Sequence, residues 1–268
     1  MPVAFPSLKS ATIAAAIALA APATVAQAFD AVRLYGAAAG TDGGTVGLGY
    51  IAGTQYQGSN ERRNMVLPLL DYQWTSGWFA GTSNGLGYDF AKRDDLQYGL
   101  RLTADLGRKQ SRSEVLRGMG DVDIKPQVGA FLNYFPSREF FLTSSLRYGS
   151  GNDGRGLVID LGAGHATQLA TQWRLTLGAA VSLANADYMQ AYFGVTPAQA
   201  AGSSHAVYSA GAGLREAKVN GSLTYFVSQR LSFTTALSIG TLLGDAKNSP
   251  LTRQASTPTA VFAMAYAF

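Results

Sequence analysis

Apolar and polar positions alternate with a period of two along several stretches of the chain. In residues 171–184 the even positions are polar or small, and the odd positions hold Trp173, Leu175, Leu177, Ala179, Val181 and Leu183. The same pattern recurs in residues 96–107, 139–149, 156–168, 219–227 and 231–243. Because two is the side-chain period of a β-strand, each stretch is predicted to be a strand with one apolar face.

The length of these stretches is typical of membrane-spanning strands. Each runs for about 10 to 14 residues, whereas a tilted strand needs ~9 to 11 residues to cross the hydrocarbon and ordinary strands have ~5 or 6. After residue 28 no apolar run approaches the ~20 residues of a membrane helix. The alternative that satisfies all backbone groups in lipid is a closed barrel. An all-β, transmembrane, antiparallel up-and-down β-barrel is therefore predicted.

The C-terminal residues continue the alternation to the end of the chain. Alanines separate four large apolar side chains, Phe262, Met264, Tyr266 and Phe268. Such a strand needs a covering element in a soluble sheet, whereas lipid covers it in a membrane barrel. The terminal aromatic also resembles the signal that the bacterial barrel assembly machinery reads. That resemblance implies this machinery as a partner and the outer membrane of a Gram-negative bacterium as the location.

Residues 1–28 are predicted to be a cleaved signal peptide. Lys9 precedes an apolar run at residues 11–20, and Ala26-Gln27-Ala28 forms a small-x-small cleavage site. The run is shorter than a membrane helix and polar chain follows it, although a buried N-terminal helix is the alternative. Removing 28 of the 268 residues leaves 240. This length suits one β domain over residues 29–268.

The connections between predicted strands alternate in length, which constrains the number of strands. Short connections at residues 136–138, 169–170 and 229 alternate with long ones at residues 109–121, 185–204 and 244–257. Outer-membrane barrels have short periplasmic turns and longer outer loops. Short and long connections alternate along the whole chain only if residues 78–91 form a hairpin that turns at Asn84-Gly85, a pair that favours a type I′ turn. Twelve strands are predicted, with ten as the alternative.

Aromatic and charged residues occupy positions that suit a barrel in lipid. Trp74, Trp78, Tyr134, Phe140 and Trp173 lie near predicted strand ends, as in an interfacial girdle, with ordinary core aromatics as the alternative. An outward Arg or Lys would cost ~2 to 4 kcal/mol at the midplane. The charges predicted to face the interior are Arg101, Asp105, Asp123, Lys125, Arg147, Asp160, Arg174 and Lys218. They would either pair inside a filled lumen or line a selective channel.

No catalytic, cofactor or metal site is predicted, and the protein is expected not to be an enzyme. The chain has no cysteine and only two histidines, which excludes thiol chemistry and cysteine metal sites. His165 has the parity of outward apolar residues, and His205 follows two serines without the other features of a triad. Without Lys9, 20 basic residues stand against 17 acidic residues. This balance gives no indication of nucleic-acid binding.

The stretch Arg108-Lys109-Gln110-Ser111-Arg112 is basic and lies in a predicted outer loop. Arginine pairs with phosphate, so this loop could contact lipopolysaccharide. A solvated loop without a specific partner is the alternative, since exposed charges commonly contribute little. Outer-membrane lipid and lipopolysaccharide are the predicted surroundings.

Several segments resemble the MipA/OmpV family of outer-membrane proteins, which is named for the MltA-interacting protein. Residues 47–50, 56–59 and 85–88 are similar to its opening segments, with Thr54 where proline is usual. More specific are the loop segments at residues 192–199 and 243–250. The residues that carry these family loop motifs are Tyr192, Phe193, Gly194, Gly244, Asp245, Ser249 and Pro250.

The resemblance implies a non-enzymatic scaffold that links a lytic transglycosylase, a murein hydrolase, to a penicillin-binding protein, a murein synthase. A narrow channel, an adhesin or a barrel that binds small amphiphiles is the alternative. Short turns offer little area beside the ~800 Å² per partner of a standard interface, so residues 29–43 are the best candidate for added contact. Thr196 and Pro197 favour a helix start, and a short helix is predicted at residues 196–201. Tyr192 and Phe193 would hold that helix over the barrel mouth.

Overall fold

The computed structural model describes residues 42–268 and shows one closed barrel of antiparallel strands. Each strand pairs with its neighbours along the chain, and β12 pairs with β1. The strands are β1 (Gly43–Thr54), β2 (Arg62–Gln73), β3 (Trp78–Gly81), β4 (Gly85–Asp89), β5 (Leu96–Asp105), β6 (Lys125–Tyr134), β7 (Phe140–Ser150), β8 (Gly156–Ala170), β9 (Trp173–Ala184), β10 (Gly213–Phe226), β11 (Leu231–Leu242) and β12 (Ser256–Ala267). The predicted twelve-strand barrel is confirmed, and the ten-strand alternative is wrong. The predicted signal peptide and residues 29–41 lie outside the described residues.

The seam that closes the barrel is a continuous run of eight residue pairs. Residues 45–52 of β1 match residues 260–267 of β12 in register. Phe268 then exchanges two backbone hydrogen bonds of 3.0 Å with Gly44. The side chains of Phe262, Met264, Tyr266 and Phe268 point outward and are between 41% and 62% exposed. The C-terminal strand therefore completes the sheet and adds to its outer apolar surface.

The whole outer face of the sheet carries large apolar side chains. Leu100, Val219, Leu237 and Ile239 are each more than half exposed. A contiguous apolar surface of this kind is rare on a soluble monomer and typical of the lipid-facing band of a membrane barrel. The apolar positions of the alternating pattern therefore face outward, and the polar and small positions face the barrel interior.

The connections sort the barrel into two ends. What we call the turn end carries the short connections, at residues 74–77, 90–95, 135–139, 171–172 and 227–230. What we call the loop end carries the longer ones, at residues 55–61, 106–124, 185–212 and 243–255, and the shorter ones at residues 82–84 and 151–155. The described loops hold three α-helices, α1 (Ala186–Phe193), α2 (Pro197–Ala201) and α3 (Gly244–Asn248). They also hold two 3-10 helices, at Gln110–Arg112 and Glu114–Leu116. None of the helices in residues 42–268 has the length and apolar character of a membrane-spanning helix.

Outward aromatic side chains gather at the turn end. The ring of Trp78 lies 5.3 Å from that of Tyr88, and the ring of Trp173 lies 4.7 Å from that of Tyr225, measured between centroids. Trp74 packs edge-on against the Tyr72 ring at 4.8 Å. These contacts form a belt at one rim, where amphipathic rings suit a membrane interface.

The β3–β4 hairpin reverses where predicted, but its turn is not of type I′. The reversal spans residues 82–84, and only Gly85, with φ of +75°, is left-handed, since no described residue other than glycine has a positive φ. Ser83 donates its backbone N–H and its hydroxyl to the Asp71 carboxylate at 3.3 and 2.9 Å. The side-chain amide oxygen of Asn84 accepts from Arg101 at 3.3 Å. Bonds to the barrel interior, and not a local turn preference, therefore set this geometry.

Candidate functional site

The long loops fold back over the loop end of the barrel and form the plug, which comprises residues 55–61, 106–124, 185–212 and 243–255. Asn185 is the N-cap of helix α1, and its side chain accepts from the Tyr188 N–H at 3.0 Å. Its four buried residues are spaced to share one face, and they are Tyr188, Met189, Tyr192 and Phe193. This face packs on the wall residues Val158, Ala184 and Leu242. The apolar face of α1 thus fills the barrel mouth.

A second apolar cluster joins the other loops of the plug. Tyr56, Leu116, Met119, Val195 and Leu251 pack together although they come from four separate loops. Leu116 and Val195 have no exposed surface, and Leu251 is 1% exposed. The Tyr56 hydroxyl donates to the Leu251 carbonyl at 2.9 Å. These side chains fill the space between the four loops, so the described loops close over this end of the barrel.

The family loop motifs meet inside the plug. Ser249 donates its hydroxyl to the Phe193 carbonyl at 2.6 Å, which links the two motifs directly. The Asp245 carboxylate accepts from the Gly211 N–H at 2.7 Å, and its carbonyl accepts from the Tyr208 hydroxyl at 2.9 Å.

Two motif glycines and a proline complete this link. A side chain at Gly194 would collide with Gln190, and Gly244 has a left-handed φ of +50° that favours glycine. Pro250 follows Ser249 and is half-buried. The motif residues therefore connect the loop at residues 185–212 to the loop at residues 243–255.

Helix α2 confirms the helix predicted at residues 196–201. Thr196 accepts from the Gln199 N–H at 3.3 Å, and the Gln199 side chain accepts from the Thr196 N–H at 2.8 Å, which is a capping box. Gln199 also donates to the Met119 carbonyl at 2.6 Å. Helix α1 was not predicted, because residues 185–204 were interpreted as an open loop. Tyr192 and Phe193 belong to helix α1 and pack in the barrel mouth as part of it. They do not act as a separate anchor for α2, as was expected.

Tyr192 connects the plug to the barrel wall. Its hydroxyl donates to the Asp105 carboxylate at 2.6 Å, and its carbonyl accepts from Arg108 at 2.7 Å. Burial raises the pKa of the Tyr192 hydroxyl and lowers the pKa of the Arg108 guanidinium. Asp105, predicted to face the interior, lies at the last residue of β5 and is 4% exposed.

Four further charges cluster on the inner wall directly beneath the plug. Arg147 and Asp160 form an ion pair, and Ser182 donates to the same carboxylate. The Arg215 guanidinium lies 4.0 Å from Asp160 and 3.3 Å from Glu216. Because these groups are paired and bonded, they can be retained in a buried position.

Arg215 is the centre of this cluster and has no exposed surface. It donates to the Tyr188 hydroxyl at 3.1 Å and to the Gln57 side chain at 3.2 Å, both in the plug. The second carboxylate oxygen of Glu216 lies 3.9 Å from the Lys218 ammonium. The cluster therefore ties two loops to the strands.

Sequence reasoning missed Arg215 because a β-bulge changes the alternation. The register between β10 and β9 shifts between Leu214 and Glu216, so Arg215 and Glu216 both reach the interior. Strict alternation backward from Val219 would place Arg215 outward. An arginine at a lipid-facing position would cost ~2 to 4 kcal/mol, and that conflict was the available signal for a bulge.

The remaining predicted interior charges occupy different surroundings. Arg101 donates to Ser145 at 2.6 Å and lies over the Phe131 ring at 5.9 Å. Lys125 is half-buried at the first residue of β6, and Arg174 lines the cavity at the turn end. Asp123 lies outside the strands, exposed and 3.4 Å from Lys109, because β6 begins two residues later.

Residues 42–268 leave the half of the lumen near the turn end unfilled, and we call this cavity the vestibule. It holds about 750 Å³. Its walls include Arg101, Phe131, Asn133, Arg174, Phe226 and Ser232. The β3–β4 turn and Arg101 form its upper boundary, beneath the plug. The vestibule therefore combines aromatic and basic groups in a concave surface that opens at one end of the barrel.

The two histidines lie apart from these features. His165 contacts the Glu139 carboxylate at 3.2 Å near the turn end, and His205 contacts the Val115 carbonyl at 2.7 Å in the plug. Among residues 42–268 no three His, Asp or Glu side chains gather into a group that could hold a metal ion.

Comparison with known proteins identifies the family. The model of the family described as MltA-interacting protein MipA matches residues 46–268. The chain belongs to the MipA family. The resemblance seen in the loop motifs is thereby confirmed, and no curated protein matches the sequence.

Solved structures similar to this MipA-family barrel are outer-membrane proteins. The NanC porin has a TM-score of 0.45 and 9% identity, over 83% of this chain and 98% of that chain. An outer membrane channel from Pseudomonas putida F1 has a TM-score of 0.43 and 11% identity, over 90% and 98% of the two chains. The toluene transporter TodX from Pseudomonas putida has a TM-score of 0.39 and 10% identity, over 94% and 93%. At these identities the similarity concerns the fold alone.

Proposed function

We propose that this protein is a non-enzymatic scaffold of the outer membrane that binds a murein hydrolase and a murein synthase from the periplasm. In this orientation the turn end faces the periplasm and the loop end faces the exterior, as short turns and long loops do in bacterial barrels. The description of the family, MltA-interacting protein, supports an assembly role. The sequence resemblance supplies the two partner classes, a lytic transglycosylase and a penicillin-binding protein.

The observation that carries this proposal is the difference between the two ends of the lumen. Buried side chains of the plug fill the loop end, whereas the vestibule of about 750 Å³ lies at the turn end. A filled loop end argues against free passage of solutes. An open vestibule adds concave surface to turns that are otherwise small beside the ~800 Å² per partner of a standard interface. A partner that docks at the turn end can insert a segment there.

Site-specific crosslinking in intact cell envelopes tests the proposal. A photoreactive residue replaces Gln229, which is exposed in the turn between β10 and β11. The matched control replaces Arg117, which is exposed in the plug. We expect crosslinks to murein enzymes from position 229 and none from position 117. Crosslinks from position 117 alone, or none to murein enzymes from position 229, would contradict a periplasmic scaffold.

Residues 29–43 are a second contact candidate, and all but the last two of them lie outside the described residues. Deleting residues 29–41 tests their role without removing the first residue of β1. We expect recovery of the murein enzymes with the deleted barrel to fall. Unchanged recovery would assign the contact to the turns and the vestibule alone.

A narrow channel is the competing function, since charged side chains line part of the lumen. The plug predicts the absence of steady conductance when the purified barrel is placed in a planar bilayer. Steady conductance by the wild-type protein would favour the channel over the scaffold.

A further inference from the structure

Two adjacent strands are much shorter than those beside them. β3 has four residues and β4 has five, whereas β2 has 12 and β5 has 10. β3 pairs with β2 only at residues 71–73, and β4 pairs with β5 only at residues 99–102. Above the turn at residues 82–84, β2 and β5 therefore border a gap in the sheet. We call this gap the window.

The edge of β2 along the window has no strand partner. Its last backbone contacts across to β3 are those of Leu70 with Thr82, at 2.8 and 3.1 Å. The alternate residues Pro68, Val66 and Asn64 point their backbone groups the same way and make no hydrogen bond across the window within residues 42–268. Proline has no N–H, which removes one donor at this edge. The remaining groups need a polar partner if lipid surrounds them.

Side chains close the window in place of backbone pairing. Val66 projects outward and is 65% exposed. Behind it, Leu67 and Met65 turn inward and pack with Ile51 and Val261. Leu67 is 6% exposed, so the passage is filled in this state. Side chains change rotamer in nanoseconds, whereas opening a paired wall would break several ladder hydrogen bonds. The window is therefore the part of the wall that opens at least cost.

Arg63 and Arg112 belong to two segments that meet at the loop end of the window, since Ser113, next to Arg112, donates its hydroxyl to Glu61, two residues before Arg63, at 2.8 Å. Burial, and next the positive charge of Arg63, lower the pKa of the Arg112 guanidinium. Neither arginine forms an ion pair with any described residue. The nearby Asp121 carboxylate bonds to Lys109 at 2.9 Å and to the Gln110 N–H at 2.8 Å.

The other acidic group near this pair of arginines is also engaged. Glu61 accepts from the Ser113 hydroxyl at 2.8 Å. This carboxylate keeps its negative charge. Because Asp121 pairs with Lys109, the two arginines stand against the single charge of Glu61, and a surplus of positive charge remains at the loop end of the window. Guanidinium groups in this state favour a phosphate or a carboxylate.

We propose that the window is a lateral binding site for an anionic amphiphile from the outer leaflet. Its phosphate or carboxylate would bind between Arg63 and Arg112, and its acyl chain would pass Val66 and Pro68 to reach Leu67. The polar part of the molecule would also satisfy the free backbone groups of the β2 edge. The head group lies at the loop end, as the orientation of an outer-leaflet lipid requires. This site is separate from the turn end and does not depend on the scaffold function.

Thiol labelling tests lateral entry, because the chain contains no cysteine. Leu67→Cys places a thiol behind the window. Thr234→Cys is the matched control, since Thr234 is 3% exposed inside the barrel but lies on a strand paired on both sides. In vesicles, a long-chain alkyl maleimide dissolved in the bilayer should label position 67 several-fold faster than position 234. Equal rates would overturn lateral entry, as would labelling of position 67 only by a charged, membrane-impermeant maleimide. Met65→Cys repeats the measurement if Leu67→Cys does not fold.

Protection of the thiol tests the head-group site. We expect phosphatidic acid to slow labelling of Leu67→Cys, and phosphatidylcholine with the same acyl chains and inorganic phosphate to have little effect. Adding Arg63→Gln or Arg112→Gln should weaken the protection about tenfold for each lost contact. Arg117→Gln, in the same loop but paired with Glu114 at the surface, should not change it.

Two outcomes would overturn the head-group site. Equal protection by both lipids would show that charge is not recognised. Protection by inorganic phosphate alone would show a site for a free anion and not for an amphiphile. Neither outcome bears on crosslinking at the turn end, so this proposal and the scaffold can fail separately.

Discussion

The two ends of the lumen share ten of the twelve strands but differ in what fills them. At the loop end Arg215 and Phe193 are buried to 0% and 1% exposure, and loops of up to 28 residues between strands supply the filling. At the turn end the connections are short, and a cavity of about 750 Å³ remains. Alternation along the strands places polar groups inside at both ends. The comparison shows that loop length decides which end of this barrel is closed.

The largest expected effect is the loss of the central charge at the loop end. Arg215→Met leaves Glu216 and Asp160 with fewer partners in a buried position. We expect a destabilisation of about 3 to 5 kcal/mol, measured by urea unfolding in lipid vesicles. Lys218→Met is the control, because within residues 42–268 the Lys218 ammonium forms one ion pair, at 3.9 Å with Glu216, and a loss of about 1 kcal/mol or less is expected. Equal losses for both variants would contradict a central role for Arg215.

The second effect concerns packing within the plug. Phe193→Ala opens a cavity where α1 meets the wall and should destabilise the plug by about 3 kcal/mol. The measurement is protease cleavage within residues 185–212, which should become faster. Val207→Ala removes an apolar side chain that is 55% exposed in the same loop and should change little. Unchanged protease sensitivity of the Phe193 variant would show that this side chain does not hold the mouth closed.

A smaller effect concerns helix α2. Thr196→Ala removes the side-chain acceptor for the Gln199 N–H and should cost about 1 kcal/mol. Hydrogen exchange at the Gln199 amide should become faster. Thr196→Ser keeps the hydroxyl and should exchange like the wild-type protein. If both variants exchange alike, the capping box does not stabilise this helix.

The open turn end predicts tolerance to substitution. Arg174 is half-buried in the vestibule wall and forms no ion pair with any residue in the described part of the chain. We expect Arg174→Gln to change the free energy of unfolding by about 0.5 kcal/mol or less, as measured in urea. A loss as large as that of the Arg215 variant would mean that both ends are equally packed in the folded barrel.

The free energy of unfolding should depend on pH in the alkaline range, through the buried tyrosines of the plug, and not near neutral pH. Burial raises the pKa of Tyr56, Tyr188 and Tyr192 above the unfolded value of about 10. Between the unfolded and folded pKa values the unfolded chain binds fewer protons, so stability is fully present below pH ~10 and falls as pH rises through that interval. This loss of stability is measured by unfolding the protein at several alkaline pH values and following the absorbance of the tyrosinate that forms. Tyr192→Phe should reduce the fall, and an unchanged slope would contradict burial of this hydroxyl.

The interior was predictable from sequence only in part. Alternation correctly assigned Arg101, Arg147 and Asp160 to the inner face, because side-chain parity is a local property of a strand. It did not find Arg215, since a bulge between Leu214 and Glu216 depends on pairing with β9. It also treated the segment of α1 as open loop, although Asn185 is a suitable N-cap. The apolar face of that helix is buried only by packing on the barrel wall, which a local sequence pattern does not show.

The sequence by itself determined the barrel fold, the direction that most strand side chains face and the apolar outer surface, because all three follow from a period of two over long stretches. The tertiary structure decided which end is filled, where the buried charges meet and where the wall has its window. These features depend on contacts between residues far apart in the chain. The bond from Tyr192 to Asp105 joins positions 87 residues apart, and the bond from Ser249 to Phe193 joins positions 56 residues apart. No local pattern encodes such contacts, since they form only when the closed sheet brings the loops together.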